Sequence, residues 1–341
     1  MHRKATAQSD RGRPDRPRGT RRAPGAGGTR GCRTGAGTRR RGHAPAGSGT
    51  AGAPLSAGAY GSGTAEPRLA GAGARAAILL DNVQYWELRD LDVTNTGPAT
   101  TTERRAGVLV RLHDFGTGRH YLVDGVSVHD VNGADFKDPD PSGGILFAVQ
   151  GSAKHTRFEG VTVRHSRRRH DNEGGFLLIC NGEGMVSDRN TVRYNVSVND
   201  RNASAPYGVI SVVCGPATHT LVHNNSVTTS VPGTAMVSSN GPGGVTFRNN
   251  IFAGAAAGSP IADPHNTYDH NLYARISGIP GGDTGAVRAG PRFVAPGDVR
   301  LRAGSPALGA GVRVPGGGDR DYYGNPVPDP PNIGADQGHG K

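Results

Sequence analysis

The sequence predicts an all-β solenoid of stacked parallel strands, and three observations lead to this class. Gly (55 residues) and Pro (24) are abundant and aromatic residues are scarce (5%), which suits short strands joined by tight turns. A short apolar motif recurs along the chain, as in proteins built from repeats. Asn recurs near the centre of that motif, so stacked copies would place Asn on Asn.

The first series of motifs has period-2 apolar residues around a central Gly, Asn, Asp or His. Its members include LVDGVSV (122–128), RYNVSV (193–198), VHNNSV (222–227) and YDHNLY (268–273). Their spacing shortens toward the C-terminus, which indicates turns of changing length. The central positions are Gly125, Gly160, Asn195, Asn224, Asn249 and His270.

A second series lies between these motifs and includes GVLVRL (107–112), GGFLLIC (174–180) and YGVISVV (207–213). Two strands per repeat are therefore expected. A five-residue strand buries one face only, so repeats must stack to form a core. Stacking predicts side-chain amide ladders, since each amide can bond to the next rung. The predicted ladder residues are Asn195, Asn224 and Asn249, along with Asn225 and Asn250.

The two series resemble the right-handed parallel β-helix family that includes pectate lyases and polygalacturonases, over residues 49–285. The stretches LRAGSPALGAG, DYYGNPVP and NIGADQG resemble an extension common behind such helices. That resemblance implies that residues 286–341 cap the last rung, whose free edge would otherwise promote aggregation. It also implies a secreted bacterial protein that acts on polysaccharide and is expected to be a monomer.

The net charge of +11 is confined to the N-terminus. Residues 1–41 contain 13 Lys and Arg against Asp10 and Asp15, and the rest of the chain has 26 basic and 26 acidic residues. Low hydropathy and high charge predict a disordered tail over 1–48. We interpret the tail as an extension without function, in preference to a nucleic-acid arm.

No apolar run near the N-terminus has the length of a signal peptide, and none is long enough to span a membrane. Secretion is nevertheless expected from the resemblance, with a leader upstream of a misplaced start. Cys180 and Cys214 align in neighbouring rungs, which is compatible with a disulfide or with two stacked thiols. No Cys or His spacing predicts zinc.

Two acidic turns precede the second series of strands, and the resemblance implies that catalytic groups lie there and on the adjoining outer face. FKDPDPSGGI contains Lys137, Asp138 and Asp140; RRRHDNEGGF contains Asp171 and Glu173. Carboxylates one or two rungs apart fit retaining and inverting glycosidases alike, and also fit a shared Ca²⁺. The candidate metal ligands are Asp138, Asp140, Asp171 and Glu173.

A basic run, VRHSRRRHD, adjoins the second turn and adds Arg169 and His170 to the candidate catalytic residues. A polyuronate lyase needs a cation for the uronate carboxylate, a base for the C5 proton and an acid for the leaving oxygen. Arg, His and carboxylate-bound Ca²⁺ supply these groups. The alternative interpretation is that these are solvated turn residues, whose ion pairs contribute about 0–1 kcal/mol.

These residues leave three functions open. The preferred one is a polysaccharide-lyase-like enzyme acting on an acidic extracellular polysaccharide. The alternatives are a glycoside hydrolase of the same fold and a non-catalytic carbohydrate-binding or surface protein. His113 and Asp114 are weaker site candidates, and His223, His270, Tyr85 and Trp86 are interpreted as structural.

Overall fold

The computed structural model describes residues 39–40, 42–59, 66–100, 102–134, 142–169, 175–181, 186–200 and 207–341. These residues form a right-handed parallel β-helix, as predicted, with no helical element among them. The described part also contains no helix that is long and apolar enough to cross a membrane.

The strands pair in parallel along the solenoid axis, except for one antiparallel hairpin near the C-terminus. In the first half they are β1 (Arg39–Arg40), β2 (Leu55–Gly58), β3 (Arg68–Ala70), β4 (Ala76–Asp81), β5 (Trp86–Asn95), β6 (Ala106–His113), β7 (Thr117–Val131), β8 (Gly143–Gln150), β9 (Arg157–Arg164), β10 (Arg167–Arg169), β11 (Leu177–Asn181), β12 (Ser187–Asp188) and β13 (Thr191–Arg193). In the second half they are β14 (Val196–Val198), β15 (Ile210–Cys214), β16 (Ala217–Thr218), β17 (Thr220–His223), β18 (Ser226–Thr228), β19 (Val237–Ser239), β20 (Val245–Arg248), β21 (Ile251–Ala253), β22 (Ser259–Ala262), β23 (Thr267–Asp269), β24 (Leu272–Ala274), β25 (Ile276–Ser277), β26 (Phe293–Ala295) and β27 (Asp298–Leu301).

Each later rung contains three main strands rather than the two expected. The rung β20, β21 and β22 stacks on the rung β23, β24 and β25. The extra strand arises because each motif of the first series bends at its centre. We call the strand segment before the bend the first face and the segment after it the second face. The third face consists of β4, β6 and β8, followed by β11, β15, β19, β22 and β25.

The bend is a column of residues in the left-handed conformation, with φ between 50° and 64°. Gly adopts this conformation at no cost and Asn at little cost, which explains the central residue types in the sequence. Gly160 belongs to a different corner, beside His120, so its assignment to this column was wrong. The column contains Asp90, Gly125, His165, Tyr194, Asn224, Asn249 and His270.

An amide ladder follows this column one residue later. The Asn195 and Asn225 side chains each donate to the Oδ1 of the Asn in the next rung, at 3.0 Å. Asn250 donates in turn to Asn271, and Asn271 donates to Asp283 at 3.0 Å. The predicted ladder is therefore confirmed for Asn195, Asn225 and Asn250. Asn224 and Asn249 lie in the bend column, where the Asn249 side chain donates to Asn224 Oδ1 at 3.4 Å, as the ladder prediction requires. Their side chains also donate to the carbonyls of Asn332 and Val312.

The core is a column of apolar side chains inside the solenoid. On the first face, register partners stack from Leu88 to Tyr268 and are at most 9% exposed. The whole column is Leu88, Val123, Val163, Val192, Val222, Phe247 and Tyr268.

The boundaries at both ends differ from those expected. Within the predicted tail, β1 pairs with β3, and the Gly47 carbonyl accepts a hydrogen bond from Trp86 Nε1. At the other end, Val287 bridges to Leu272 and covers the last rung. Residues 290–341, here called the extension, run along the side of the solenoid instead of closing its end. The extension binds the solenoid through Arg193, Asn224 and Asn249.

Candidate functional site

Most of the predicted catalytic and Ca²⁺-binding residues lie outside the described residues. The described chain does include the backbone of Arg169, which ends β10 and pairs with His129 of β7 and Val198 of β14. The predicted acidic turn begins directly after this strand. The residues outside the described part are Lys137, Asp138, Asp140, His170, Asp171 and Glu173.

The outer surface of the second face changes from polar to apolar along the solenoid. At one outward position, Asp92, Ser127 and Arg167 are followed in register by Val196, Ser226, Ile251 and Leu272, so the second half is apolar except at Ser226. The apolar half packs against Leu301, Ala307, Ile333, Val299 and Ala335 of the extension. The polar half adjoins the extension, because Arg167 donates to the Gly297 carbonyl at 3.1 Å.

A carboxylate–imidazole cluster lies on this polar half. His129 Nε2 is 2.7 Å from Asp92 Oδ1, and His129 Nδ1 is 2.8 Å from Asp130 Oδ2. Arg68 donates to the other oxygen of Asp92 at 2.6 Å. Partial burial opposes the charged form of His129, but its hydrogen bonds to both carboxylates raise its pKa. The imidazole is therefore biased toward its charged form on a surface open to solvent.

Glu66 adjoins this cluster and also has a shifted pKa. Partial desolvation, together with the negative charges of Asp92 and Asp90, raises the pKa of Glu66. Tyr322 of the extension interacts with Glu66 and Arg167. An acid that holds its proton longer than usual beside an ion-paired carboxylate is an arrangement suited to proton transfer.

The basic run predicted beside the acidic turn has mainly structural contacts where it is described. Arg164 and His165 both contact Asp124, each at 2.8 Å, and Arg89 approaches the same carboxylate at 2.9 Å. Burial opposes ionisation of Asp124, but the hydrogen bonds and charges of His165 and Arg164 lower its pKa to about 2. Asp124 is thus the centre of an ion network on the first face, away from the second-face cluster.

The weaker candidates also have structural partners. Asp114 Oδ1 accepts the backbone N–H groups of Ala153 and Lys154, which fixes a turn. His223 is 1% exposed and its Nδ1 lies 2.8 Å from Asn224 Oδ1. Trp86 is 6% exposed, which confirms its packing role.

The cysteine alignment is shifted by one residue. The backbone register pairs Cys180 with Val213 and Asn181 with Cys214. The two cysteines are therefore not register partners in neighbouring rungs.

Among the described residues, no group of three or more His, Cys, Asp or Glu side chains is placed to hold a metal ion. The proposed Ca²⁺ ligands are not among these residues, so the expectation of Ca²⁺ stays a prediction.

Sequence reasoning missed Glu66, Asp92, His129 and Asp130. Asp92 and His129 occupy outward positions of otherwise alternating strands, which is also where solvated residues lie. Their convergence depends on the register between β5 and β7, and the sequence alone does not set that register.

No protein-family model matches this chain, and no curated protein matches it. Among solved structures, the GH136 lacto-N-biosidase from Eubacterium ramulus superimposes with a TM-score of 0.50 at 16% identity. The two share a fold. The aligned region covers 73% of this chain and 60% of that enzyme, so the chain spans less than two thirds of the enzyme's length. The alginate lyase from Paenibacillus sp. str. FPU-7 aligns with a TM-score of 0.44 at 16% identity, over 69% of this chain and 76% of the lyase.

Proposed function

We propose that this chain is a carbohydrate-active protein whose working surface is the polar half of the second face. The observation that carries the proposal is the placement of His129 between Asp92 and Asp130, on an open sheet surface beside Glu66. Parallel β-helices present such side chains in a row along the axis, which suits an extended polymer. The fold shared with a lacto-N-biosidase supports carbohydrate as the ligand class, by analogy of fold.

The preferred substrate is an acidic extracellular polysaccharide, because two Arg side chains adjoin the cluster. Arg68 is 53% exposed in its side chain, and Arg167 lies one rung beyond Ser127 on the same face. With the His129 imidazolium, these groups would neutralise a uronate carboxylate. That neutralisation acidifies the adjacent C–H bond, which is the requirement for β-elimination.

In the proposed reaction, the base and the acid come from different parts of the solenoid. A base from the turn after β10, with Asp171, Glu173 and His170 as candidates, takes the proton from C5 of the uronate. The C4–O bond breaks, a C4–C5 double bond forms, and Glu66 gives its proton to the leaving oxygen. Arg169 and Lys137 would assist charge neutralisation. Ca²⁺ held by Asp138, Asp140, Asp171 or Glu173 would do the same.

A glycoside hydrolase is the second candidate function, since desolvation and the charge of Asp92 raise the pKa of Glu66, which is the direction that suits a general acid. In that reaction a carboxylate acts as base or nucleophile and no double bond forms. A carbohydrate-binding protein without catalysis is the third candidate.

The test combines two product assays on the full chain, with a panel of polyuronates in the presence and absence of Ca²⁺. Ultraviolet absorbance reports the new double bond, and reducing ends report either cleavage. We expect Glu66→Gln to lower the rate about 10²–10⁴-fold, the range for loss of a general acid. Glu159→Gln is the matched control, because Glu159 is a surface carboxylate paired with Arg119, Arg157 and Arg189 elsewhere on the solenoid.

The outcomes separate the three functions. Absorbance that rises with the wild type and is lost with Glu66→Gln supports the lyase. Reducing ends without absorbance support the hydrolase. If neither assay detects product but the polysaccharide still binds, the chain is a carbohydrate-binding protein without catalytic activity.

A further inference from the structure

A cleft lies beside the β26–β27 hairpin of the extension and is lined by residues other than those of the carboxylate–imidazole cluster. It has a volume of ≈ 880 Å³ between the corner turns of the solenoid and the β26–β27 hairpin. Ligand clefts in proteins typically enclose about 300–1,000 Å³, so this cleft has the size of a binding site. We call it the arginine cleft; its walls include Asn199, Ser230, Arg275, Arg292, Phe293 and Arg302.

The charged residues that line the arginine cleft are all basic. Arg275, Arg292 and Arg302 line it and are exposed, whereas its lining contains no Asp or Glu. Asp298, the acid within the hairpin, is paired with Arg300. Three guanidinium groups around one concave surface create a positive potential that attracts anions.

Each of the three guanidinium groups is held in place by a backbone carbonyl. Arg275 donates to Gly254 at 2.8 Å, Arg292 to Gly304 at 3.0 Å and Arg302 to Val294 at 2.5 Å. A guanidinium has five N–H donors, and these contacts use one from each residue. The remaining donors suit the paired oxygens of a carboxylate or sulfate.

The backbone and the apolar wall add further features of a binding site. Arg275 and Arg292 have φ values of 53° and 55°, a left-handed conformation that residues with a side chain seldom adopt. Pro291, just before the hairpin, and Phe293 and Val294 of the hairpin line the same cleft. Apolar rings beside fixed cationic groups match a sugar, which has apolar C–H faces and, in uronates, a carboxylate.

We propose that the arginine cleft binds a segment of an anionic polysaccharide, with uronate carboxylates on Arg275, Arg292 and Arg302. The choice of uronate rests on the proposed function, whereas the preference for an anionic sugar rests on the cleft alone. The cleft would hold a remote part of the polymer while the second-face cluster acts on another part. Its role is binding, without a chemical step.

The test is calorimetric titration of the full chain with three oligosaccharides of equal length: an oligogalacturonate, a sulfated galactan fragment and a neutral galactan fragment. We expect the oligogalacturonate to bind most tightly, with binding weakened by salt. Arg275→Gln/Arg292→Gln should weaken that binding about tenfold, since two charge-assisted contacts are lost. Arg313→Gln is the control, because Arg313 is 76% exposed in the extension and pairs with Asp329.

Equal binding by the double variant and the wild type would overturn the proposal, as would equal binding of neutral and acidic sugars. Tighter binding of the sulfated fragment would reassign the ligand to sulfated glycans. Turnover is measured separately on the same proteins. Arg275-dependent binding without any turnover would support the binding cleft and reject the enzymatic function. Turnover with unchanged binding in the double variant would support the enzymatic function and reject the binding cleft.

Discussion

At the scale of single residues, the amide ladder makes each Asn both donor and acceptor. Asn250 Oδ1 accepts from the backbone N–H and the side chain of Asn225, and Asn250 donates to Asn271. All three residues are at most 1% exposed. Buried networks are costly to interrupt, because groups that lose a partner cannot bond to water instead.

We therefore predict that Asn250→Ala lowers the free energy of unfolding by about 1–3 kcal/mol, since the buried backbone N–H of Asn225 loses its acceptor. Urea denaturation measures this change. Asn240→Ala, at an exposed position, should change stability by less than about 0.5 kcal/mol. Equal effects of the two substitutions would show that the ladder adds no stability.

His223 gives a second prediction at the residue scale. It is buried between the solenoid and the extension, its Nε2 has no hydrogen-bond partner in the described structure, and Gly317 of the extension lies against its ring. Burial lowers the pKa of His223 to about 4, and the charges of Arg193 and Arg248 act in the same direction.

Because the unfolded His223 has its ordinary pKa of about 6.5, the unfolded state binds more protons between pH 6.5 and 4. Stability should therefore fall as pH is lowered through this window, by up to about 3 kcal/mol from this residue. Unfolding at stepped pH values measures the slope. His223→Gln, which keeps a donor for Asn224, should reduce it; an unchanged slope would assign the acid sensitivity to other groups.

At the scale of elements, the polarity of the second face determines where the extension docks. The strands β14, β21 and β24 read VSV, IFA and LYA and are apolar apart from one Ser. A strand buried on both faces has this pattern. Between these strands β18 reads SVT, and its Ser226 Oγ accepts the Ala335 N–H of the extension. The extension supplies the outer cover with Leu301, Ala307 and Ile333, which are fully buried.

We predict that Ile333→Ala lowers the free energy of unfolding by about 2–4 kcal/mol, the range for removing a buried Ile side chain. Thermal and urea unfolding measure the loss. Val314→Ala, at a half-buried position in the same extension, should cost less than about 1 kcal/mol. A negligible effect of Ile333→Ala would mean that the extension is only loosely attached.

The elements also show what sequence reasoning can and cannot reach. Motifs such as VHNNSV predicted the parallel stacking and the ladder, because stacking superposes like residues. They did not predict the bend within each motif, since a left-handed residue such as His165 or Tyr194 is held by tertiary packing and not by its intrinsic preference. The cluster at Asp92 and His129 was missed because strand register is set by the whole stack.

At the scale of the whole molecule, the extension connects rungs that would otherwise interact only with their neighbours. It bonds to Arg193, Asn224 and Asn249, which belong to three successive rungs. In solenoids without such a connection, stability is approximately a sum of repeat and nearest-neighbour terms. Here the rungs from β13 to β24 share one additional partner.

We predict that these rungs open as one cooperative unit in native-state hydrogen exchange. Amides of β17, β18, β20 and β21 should show a common opening free energy, and Ile333→Ala should lower it for all four strands together. Amides of β4 and β6, on the third face, serve as the internal control. Independent values for neighbouring rungs in the wild type would contradict the prediction.

The same lateral attachment also constrains the number of rungs beneath the extension. Gly334 N–H bonds to the Asn249 carbonyl, and Ala335 N–H bonds to Ser226 Oγ one rung earlier. An inserted or deleted rung between these strands would move one anchor by about 4.8 Å, the spacing between neighbouring strands, and leave the other in place. Within the stretch from β13 to β24, the number of rungs can therefore change only if the extension changes length as well.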